Sequence, residues 1–581
     1  MKTIPIKDPV LFLFILLLTC ACKKSSPDNN AGNGNGNGGG NVPPVDPPIA
    51  NTIGFFLNDW TPKTFTVPTY IDTSIPAISP TTTVSIDAST VLTKIPTTVF
   101  GQNLNSWMTQ VVTQSSLMNY LNDLHAGTIR FPGGSISDTY FWNADTGMFP
   151  ADAPDSLVDA NGTRIAAGYW SGMNTQSWTI SLDNYYQLLQ QSGSAGIITV
   201  NYGYARYGTG PNPAAAAAHL AADWVRYDNG RTKYWEIGNE CNGVWEASYR
   251  INMANNHDGQ PEIVTGALYG QHFKVFADSM RKAAQEIGKT IYIGAYILEA
   301  QPQSWQTATD QSWNTGVLTA VNSSADFYIV HSYYTPYQQN STADVVLNSA
   351  TDNTFAIMNY VRSAITNAGG TVKPIALTEW NINAEGSMQK VSFISGMYAA
   401  LVFGEALKNN YGQTSRWDLA NGWANGNDHG LFNIGDEPGA PLWGPRPAFY
   451  YMYYFQKMIG DRLLKTTVNG TGAVNILAYA SSFTSGEKGV ILANKAVAQQ
   501  TVSVTLTNAT VGSRFYFYTL TGGTDNGEFS GKVIVNGNGP VGSSGGPANN
   551  YASLKPYSAT TQNGIKFTMP ARSMVYMVIG K

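Results

Sequence analysis

The stretch YWEIGNE at residues 234–240 decides how the rest of the chain is interpreted. It opens with aromatic and β-branched residues, which are typical of a buried strand, and Gly238 is a residue type that commonly ends one. Asn239 and Glu240 therefore stand at the carboxyl end of a predicted strand. Because parallel α/β barrels carry their reactive groups at that end, the stretch predicts a polar site at the mouth of a barrel.

A second stretch, PIALTEWN at residues 374–381, repeats this design. An apolar strand again ends in a carboxylate, Glu379, and an aromatic residue follows it. Two carboxylates presented by two barrel strands favour the hydrolysis of a glycosidic bond, in which one carboxyl group acts as the acid and the other as the nucleophile.

Strand-like runs alternate with helix-length segments over residues 96–464, which indicates an α/β fold with a parallel sheet. Eight candidate strands can be counted, and eight is the number that closes a (β/α)8 TIM barrel. They are Val99 to Asn103, Thr128 to Phe131, Gly196 to Tyr202, Tyr234 to Glu240, Thr290 to Tyr296, Asp326 to Tyr333, Pro374 to Asn381 and Trp417 to Trp423. Predicted helices include Leu182 to Gln191, Pro213 to Val225, His272 to Ile287 and Thr354 to Ala368. A doubly wound open sheet is the alternative, but no Gly-rich phosphate loop follows any of these strands.

Residues 465–581 have a different sequence pattern, in which short runs of alternating apolar and polar residues are separated by turns rich in Gly and Asn. This pattern predicts a C-terminal antiparallel β-sandwich. Residues 51–95 also contain short β-like runs, such as TTTVSID at 81–87. They could pair with the C-terminal strands or form a module of their own.

The first 22 residues have the pattern of a lipoprotein signal peptide, with a basic start, a short apolar core and a cysteine after small residues. Cys22 is the predicted lipidation site, Cys20 is the alternative, and an ordinary secretory peptide stays open. Residues 23–50, rich in Asn, Gly and Pro, predict a disordered tether. The expected location is the bacterial cell envelope, at the outer membrane or cell surface, with secretion as the alternative.

The amino-acid composition limits the kinds of molecule that the protein is expected to bind. Of the 581 residues, 43% are hydrophobic and only 12% charged, and the formal net charge is -4. No basic face is therefore expected for nucleic acid, and the membrane is reached only through the lipid anchor. A neutral surface rich in amides and aromatics suits a neutral carbohydrate. The six histidines lack ligand spacing, so we expect neither a metal ion nor a cofactor.

Three segments carry a family resemblance over roughly residues 99–465. Gly238-Asn239-Glu240 and Thr378-Glu379-Trp380 resemble the acid/base and nucleophile motifs of the retaining glycoside hydrolases of clan A. The segment RFPGGS at 130–135 resembles the second strand of the α-L-arabinofuranosidase, β-xylosidase and heparanase-like branches.

The resemblance implies roles for the residues in these motifs. Glu240 would be the acid/base, Glu379 the nucleophile, and Asn239 would bind the sugar 2-hydroxyl. A general acid must hold its proton at working pH, so we expect burial and the opposite carboxylate to raise the pKa of Glu240.

Other candidates lie at neighbouring strand ends. His331 and Tyr333, at the end of strand six, could orient Glu379 or a sugar hydroxyl. Arg130 could bind Glu379 and keep it ionised, or it could pair with Glu236, which shares the strand parity of Glu240.

Several tryptophans could stack on a sugar ring. Trp380 and Trp423 follow strands seven and eight, and each could either bind the substrate or merely fill the barrel mouth. Trp107, Trp142 and Trp245 are further candidates.

Together these features predict a lipid-anchored retaining glycoside hydrolase of plant-type or algal polysaccharide, α-L-arabinofuranosidase-like. An endo-acting β-glycanase of the glucanase or xylanase type is the alternative on the same fold, because specificity resides in loops. A non-catalytic surface glycan-binding lipoprotein is the alternative of another class. The sugar, the linkage and the oligomeric state are left open.

Overall fold

The computed structural model describes residues 45–540, 545–548 and 550–581. The predicted signal peptide, Cys22 and residues 23–44 of the predicted tether lie outside these ranges. At the start of the described chain, Asp46 forms ion pairs with Arg462 at 2.6 Å and with Lys94 at 3.3 Å. The last residues of the predicted tether therefore contact the folded chain.

Eight parallel strands close into a barrel, and each strand pairs with its neighbours in chain order. They are β1 (Gly101–Asn103), β2 (Thr128–Phe131), β3 (Ala195–Val200), β4 (Tyr234–Ile237), β5 (Tyr292–Tyr296), β6 (Phe327–Tyr333), β7 (Ile375–Asn381) and β8 (Gln413–Arg416). The predicted (β/α)8 barrel is thus confirmed.

The eighth strand is not where the sequence placed it. The predicted segment, Trp417 to Trp423, begins directly after the observed strand β8. This strand is polar throughout, with the sequence QTSR, and its side chains are fully buried. Gln413 donates to the hydroxyl oxygens of Thr128 and Ser415, so part of the polar character of this strand is satisfied by hydrogen bonds inside the barrel. Apolar periodicity could not reveal such a strand.

Helices cover the outside of the barrel. They are α1 (Ser115–Leu124), α2 (Leu182–Ser192), α3 (Gly203–Tyr207), α4 (Pro213–Asp228), α5 (Gly266–Glu286), α6 (Ala308–Val321), α7 (Ala343–Asn367), α8 (Phe393–Lys408) and α9 (Pro447–Met458). Six of them begin after a Ser, Thr or Asn whose side chain accepts a backbone N–H of the first turn: Ser181, Asn212, Thr265, Thr307, Thr342 and Ser392. In the described part of the chain, no helix is both long and apolar enough to span a membrane.

Eleven further strands form one sheet, most of whose pairings are antiparallel. Its strands are Ile71–Asp72, Thr82–Lys94, Arg462–Gly470, Ile476–Ser482, Lys488–Asn494, Gln500–Thr507, Arg514–Gly522, Val533–Val535, Tyr557–Thr560, Ile565–Met569 and Ser573–Ile579. The long strand Thr82–Lys94 pairs antiparallel with Arg462–Gly470 and parallel with Gln500–Thr507. The N-terminal β segment is therefore part of the C-terminal sheet and not a separate module.

Helix α8 lies between the barrel and this sheet. All its residues except the last, Lys408, are buried, as expected for a helix that is apolar on every side. Gly404 faces the ring of Tyr479 from the sheet, and the Tyr479 hydroxyl donates to Glu405. Side chains of the barrel and of the sheet thus belong to one hydrophobic core.

Three small two-stranded sheets lie in the long loops. Two follow β2, where Tyr140–Phe141 pairs with Trp170–Ser171 and Ser156–Val158 pairs with Arg164–Ala166. The third follows β8 and joins Ala420–Asn421 to Phe432–Asn433.

Candidate active site

The end of strand β4 turns sharply and presents Glu240. Gly238 has a φ of +72°, and a Cβ at this position would lie 2.5 Å from the sulfur of Cys241, so only glycine fits. Glu240 itself has a φ of +38°, a left-handed conformation that is uncommon for a residue with a side chain. Such strain is typical of a functional position that the surrounding structure holds in place. Cys241 is fully buried and packs behind the turn.

Glu240 accepts two hydrogen-bond contacts in the mouth of the barrel. His331 Nδ1 lies 3.0 Å from Oε1, and the Trp245 indole Nε1 donates to Oε2 at 3.0 Å. Burial acts to raise the pKa of Glu240. The hydrogen bond and charge of His331, followed by the Trp245 indole and the charge of Arg130, outweigh burial and hold this pKa below its ordinary value.

Glu379 faces Glu240 from strand β7. The Tyr333 hydroxyl donates to Glu379 Oε1 at 2.6 Å, and Arg130 Nη1 lies 3.4 Å from Oε2. Burial raises the pKa of Glu379, and the negative charge of Glu240 adds to this effect. The opposing influence of His331, Arg130 and the Tyr333 hydrogen bond is not large enough to reverse it.

His331 stands between the two carboxylates. Its Nδ1 also lies 3.7 Å from Glu379, and its Nε2 lies 3.0 Å from the Thr378 hydroxyl. One oxygen of Glu240, one of Glu379 and one nitrogen of His331 lie within 4.8 Å of one another. Burial acts on the pKa of Glu240 as the sequence suggested, whereas the charge of the opposite carboxylate acts on Glu379. The expectation of a raised pKa for Glu240 is wrong, because the hydrogen bond and charge of His331, whose Nδ1 lies closer to Glu240 than to Glu379, help to outweigh burial.

Arg130 connects the nucleophile candidate with the floor of the barrel. Its Nε donates to Glu236 at 2.7 Å and its Nη2 to Asn239 Oδ1 at 2.8 Å. Its Nη1 reaches Asn103 Oδ1 at 3.0 Å as well as Glu379. The two alternatives left by the sequence are both present, since this guanidinium contacts Glu236 and Glu379 at once.

Asn239 is oriented by a buried acid that the sequence did not single out. The Asn239 amide nitrogen donates to Glu246 Oε1 at 2.9 Å, and the Ser135 hydroxyl donates to the same oxygen at 2.8 Å. Burial, together with the charges of Asp138 and Glu240, raises the pKa of Glu246 well above its ordinary value. Burial likewise raises the pKa of Asp138 to about 7. Asn239 therefore has its oxygen fixed toward Arg130 and its nitrogen toward Glu246.

Part of the chain that carries this site matches a known protein family. The family model of the α-L-arabinofuranosidase 1 domain matches residues 120–346, a span that includes strands β2 to β6 and Glu240. The expected resemblance to these glycoside hydrolases is confirmed. No curated protein matches the sequence significantly.

Solved structures share the arabinofuranosidase-like fold over most of the chain. An α-L-arabinofuranosidase from Thermotoga maritima, solved with arabinose, is 15% identical with a TM-score of 0.59, over 86% of this chain and 99% of that one. A family 44 xyloglucanase from Paenibacillus polymyxa is 11% identical with a TM-score of 0.54, over 87% and 100%. CelM2, a bifunctional glucanase-xylanase from a metagenome library, is 14% identical with a TM-score of 0.54, over 86% and 99%. At these identities the likeness concerns the fold alone.

Two tryptophans that were predicted to bind substrate, Trp380 and Trp423, do not lie beside the paired carboxylates of this arabinofuranosidase-like barrel. Trp380 is fully buried and packs edge-on against Tyr398 and Phe403 of helix α8. Successive strand residues point to opposite faces, so Glu379 turns into the mouth and Trp380 turns away from it. Trp423 is half-buried and lies 5.0 Å from the Arg446 guanidinium, on its own loop after β8.

Sequence patterns could not have identified all of the residues around the site. Glu246 lies on an irregular loop, where no periodicity gives a direction for a side chain, and Trp245 on the same loop was only one of several tryptophan candidates. Glu299, on the loop after β5, has a pKa raised to about 7 by burial first and by Glu240 among other groups. The available signal for both acids was only an isolated carboxylate shortly after a predicted strand.

Proposed function

We propose that the protein is a retaining glycoside hydrolase that cleaves plant-type or algal polysaccharide by double displacement, with α-L-arabinofuranosidase-like specificity. The observation that carries the proposal is the pair Glu240 and Glu379, of which one carboxylate oxygen each lies within 4.8 Å of the other across the mouth of the barrel. Retaining enzymes hold their two carboxyl groups about 5–5.5 Å apart, whereas inverting enzymes need about 6.5–9.5 Å to admit a water between them.

In the first step Glu379 attacks the anomeric carbon while the glycosidic bond breaks. Tyr333 and Arg130 contact one carboxylate oxygen each, which aims the nucleophile and favours its ionised form. Glu240 delivers a proton to the departing oxygen, so the leaving group departs as a neutral alcohol. The sugar is then covalently bound to Glu379.

Glu240 must gain a proton before it can act as the acid. Its side chain is only 17% exposed, so a bound substrate would remove its remaining water and favour the neutral form. His331 and Glu240 can share one proton across their 3.0 Å contact. We therefore assign His331 the role of keeping this proton at the site.

In the second step a water replaces the leaving group. Glu240, now ionised, removes a proton from the water as its oxygen attacks the anomeric carbon. The bond to Glu379 breaks, and the carboxylate is restored beside Tyr333 and Arg130. Two inversions at one carbon give net retention of configuration.

The test is product analysis by mass spectrometry after incubating residues 51–581 with arabinan, arabinoxylan, xyloglucan, β-glucans and aryl glycosides. Release of arabinose by the wild type, and no release by the Glu379→Gln variant, is the expected result. Oligosaccharide ladders would instead favour an endo-acting β-glycanase, for which the shared fold of the family 44 xyloglucanase gives a precedent. Retention on one polysaccharide without any product would favour a glycan-binding lipoprotein.

We also propose that Cys22 carries a lipid that anchors the enzyme to the bacterial envelope. The basis is the pattern of a short apolar core, small residues and a cysteine at the N-terminus. Metabolic labelling with a fatty-acid analogue should label the wild type and Cys20→Ser but not Cys22→Ser. Labelling of Cys22→Ser would contradict this assignment.

A further inference from the structure

We propose that Glu246 is a positioning residue that works as a neutral acid and holds the Asn239 amide with one N–H directed to the sugar that Glu379 attacks. This inference rests on the proposed function of the site. It gives the loop after β4 a part in selecting the attacked sugar by its 2-hydroxyl, through a residue that acts on Asn239 and not on the substrate.

The orientation of the Asn239 amide follows from its partners. Arg130 has only N–H donors, so the Asn239 atom that lies 2.8 Å from its Nη2 is the oxygen. The amide nitrogen therefore points to Glu246, to which it donates at 2.9 Å. An amide nitrogen carries two N–H groups, and Glu246 accepts one of them. No residue in the described ranges accepts the other, which is thus available to a ligand.

The carboxyl group of Glu246 uses one of its two oxygens. Its Oε1 accepts from Asn239 at 2.9 Å and from the Ser135 hydroxyl at 2.8 Å. Its Oε2 is buried and has no hydrogen-bond partner in the part of the chain that the structure describes. An ionised group would leave a charged oxygen unpaired in the interior, which is costly. A neutral acid with its proton on Oε2 and its carbonyl at Oε1 fits the arrangement.

The surroundings of Glu246 favour the same neutral form. The residue is 4% exposed, and a second acid, Asp138, is fully buried. Burial raises the pKa of Glu246, and the negative charge of Asp138 raises it further. Asp138 Oδ1 also accepts the backbone N–H of Asn239 at 3.3 Å. The two acids therefore hold this asparagine by its side chain and by its backbone.

The amide is fixed relative to the proposed nucleophile. Arg130, which holds the Asn239 oxygen, also contacts Glu379 at 3.4 Å, and Asn239 directly precedes Glu240. A hydrogen bond to the sugar 2-hydroxyl strengthens as the transition state forms. A small rotation of the amide should therefore lower kcat more than it weakens substrate binding.

The test compares an aryl glycoside with its 2-deoxy analogue in Glu246→Gln, Glu246→Leu and a control variant. Glutamine reproduces the neutral acid, because its oxygen can accept from Asn239 and its NH₂ group takes the place of the O–H. Leucine removes the acceptor. Glu405→Leu is the matched control, since Glu405 is also buried but accepts from Tyr479 of the C-terminal sheet.

We expect Glu246→Leu to lower kcat on the aryl glycoside about 10²-fold and to lower it much less on the 2-deoxy analogue, which has no 2-hydroxyl for Asn239 to bind. Glu246→Gln should keep most of the wild-type kcat on both substrates. Glu405→Leu should lower the midpoint of thermal unfolding without changing the ratio of the two activities. Circular dichroism establishes that each variant folds. If Glu246→Leu does not fold, Glu246→Asp, whose oxygens are withdrawn by one CH₂ group, provides the same comparison.

Equal losses on both substrates in a folded Glu246→Leu or Glu246→Asp would overturn the positioning role and leave Glu246 as a structural residue. No loss on either substrate would overturn it as well. A large loss of kcat in Glu246→Gln would overturn the neutral acid, because only the ability to ionise is then removed. If the wild type hydrolyses no aryl glycoside and no polysaccharide of the panel, the proposed function itself fails, and that result is visible before any variant is made.

Discussion

The mouth of the barrel and the interior of the C-terminal sheet are built on opposite principles. The mouth buries charge: Arg130 has no exposed surface and contacts Glu236 and Glu379. The sheet interior packs side chains such as Val84 and Leu492 against one another. Burying an ion is costly even when it is paired, whereas burying an apolar side chain is favourable. The difference indicates that the mouth is maintained for chemistry and the sheet for stability.

Replacement of the paired carboxylates should have the largest effect on activity and the least on folding. Glu240→Gln should lower turnover on a polysaccharide about 10²–10⁴-fold, and Glu379→Gln should lower it further because the proposed nucleophile is lost. Each change removes one of two adjacent negative charges, so thermal unfolding should stay within a few degrees of the wild type or rise. A variant that keeps full turnover would contradict the roles assigned here.

Arg130→Met should lower both the stability and the activity of the protein. It leaves Glu236 and Glu379 buried without their cation, which costs about 3–5 kcal/mol of unfolding free energy, and it removes a partner of the nucleophile. The double variant Arg130→Met/Glu236→Gln removes one of the uncompensated charges and should recover part of the stability but not the activity. Recovery of activity in the double variant would show that Arg130 serves only the fold.

Leu492→Ala should lower stability alone. Leu492 is fully buried in the sheet, and its truncation should cost about 2–5 kcal/mol in urea unfolding. The activity of the protein that remains folded should match the wild type, because the sheet holds none of the paired groups. Val497→Ala, at an exposed position of the same sheet region, is the control and should change neither property. A large loss of specific activity in folded Leu492→Ala would show that the sheet contributes to the site as well as to stability.

Asp138→Asn should have the smallest effect, confined to the pH dependence of stability. The folded state holds the Asp138 proton up to about pH 7, against an ordinary value of 3.8. The stabilisation that protonated Asp138 contributes is therefore fully present below the ordinary pKa and is lost as the pH rises toward 7. Over that range the free energy of unfolding falls by up to about 1.4 kcal/mol per pH unit. The unfolding free energy should fall less between pH 5 and 7 in Asp138→Asn than in the wild type or in the exposed control Asp278→Asn. Equal slopes would contradict a protonated Asp138.

The difference between apolar and polar burial also explains which strands and residues could be predicted from the sequence. Seven barrel strands are found by their apolar runs, and Glu240 and Glu379 follow from the ends of two of them. Strand β8 was predicted too far along the chain, because its sequence, QTSR, contains no apolar residue. Its polar side chains are buried with the help of hydrogen bonds within the barrel.

Residues beyond the strand ends were harder to predict. Trp380 was considered for stacking because its place after Glu379 is visible in sequence, but strand parity turns it toward helix α8. Trp245 and Glu246 lie on a loop whose path depends on contacts with Asp310 and Ser135, which are distant in the chain. Local patterns carry no information about such contacts.

If Glu240 and Glu379 act by double displacement, the sugar is inverted twice at its anomeric carbon, so the anomeric configuration of the first product is the decisive measurement. Proton NMR can follow the anomeric signal during the first minutes of hydrolysis, before the released sugar equilibrates. The spacing of the two carboxylates predicts that the first sugar released has the same anomeric configuration as the substrate. Release of the opposite anomer would contradict the assignment of Glu379 as nucleophile and indicate direct attack by water.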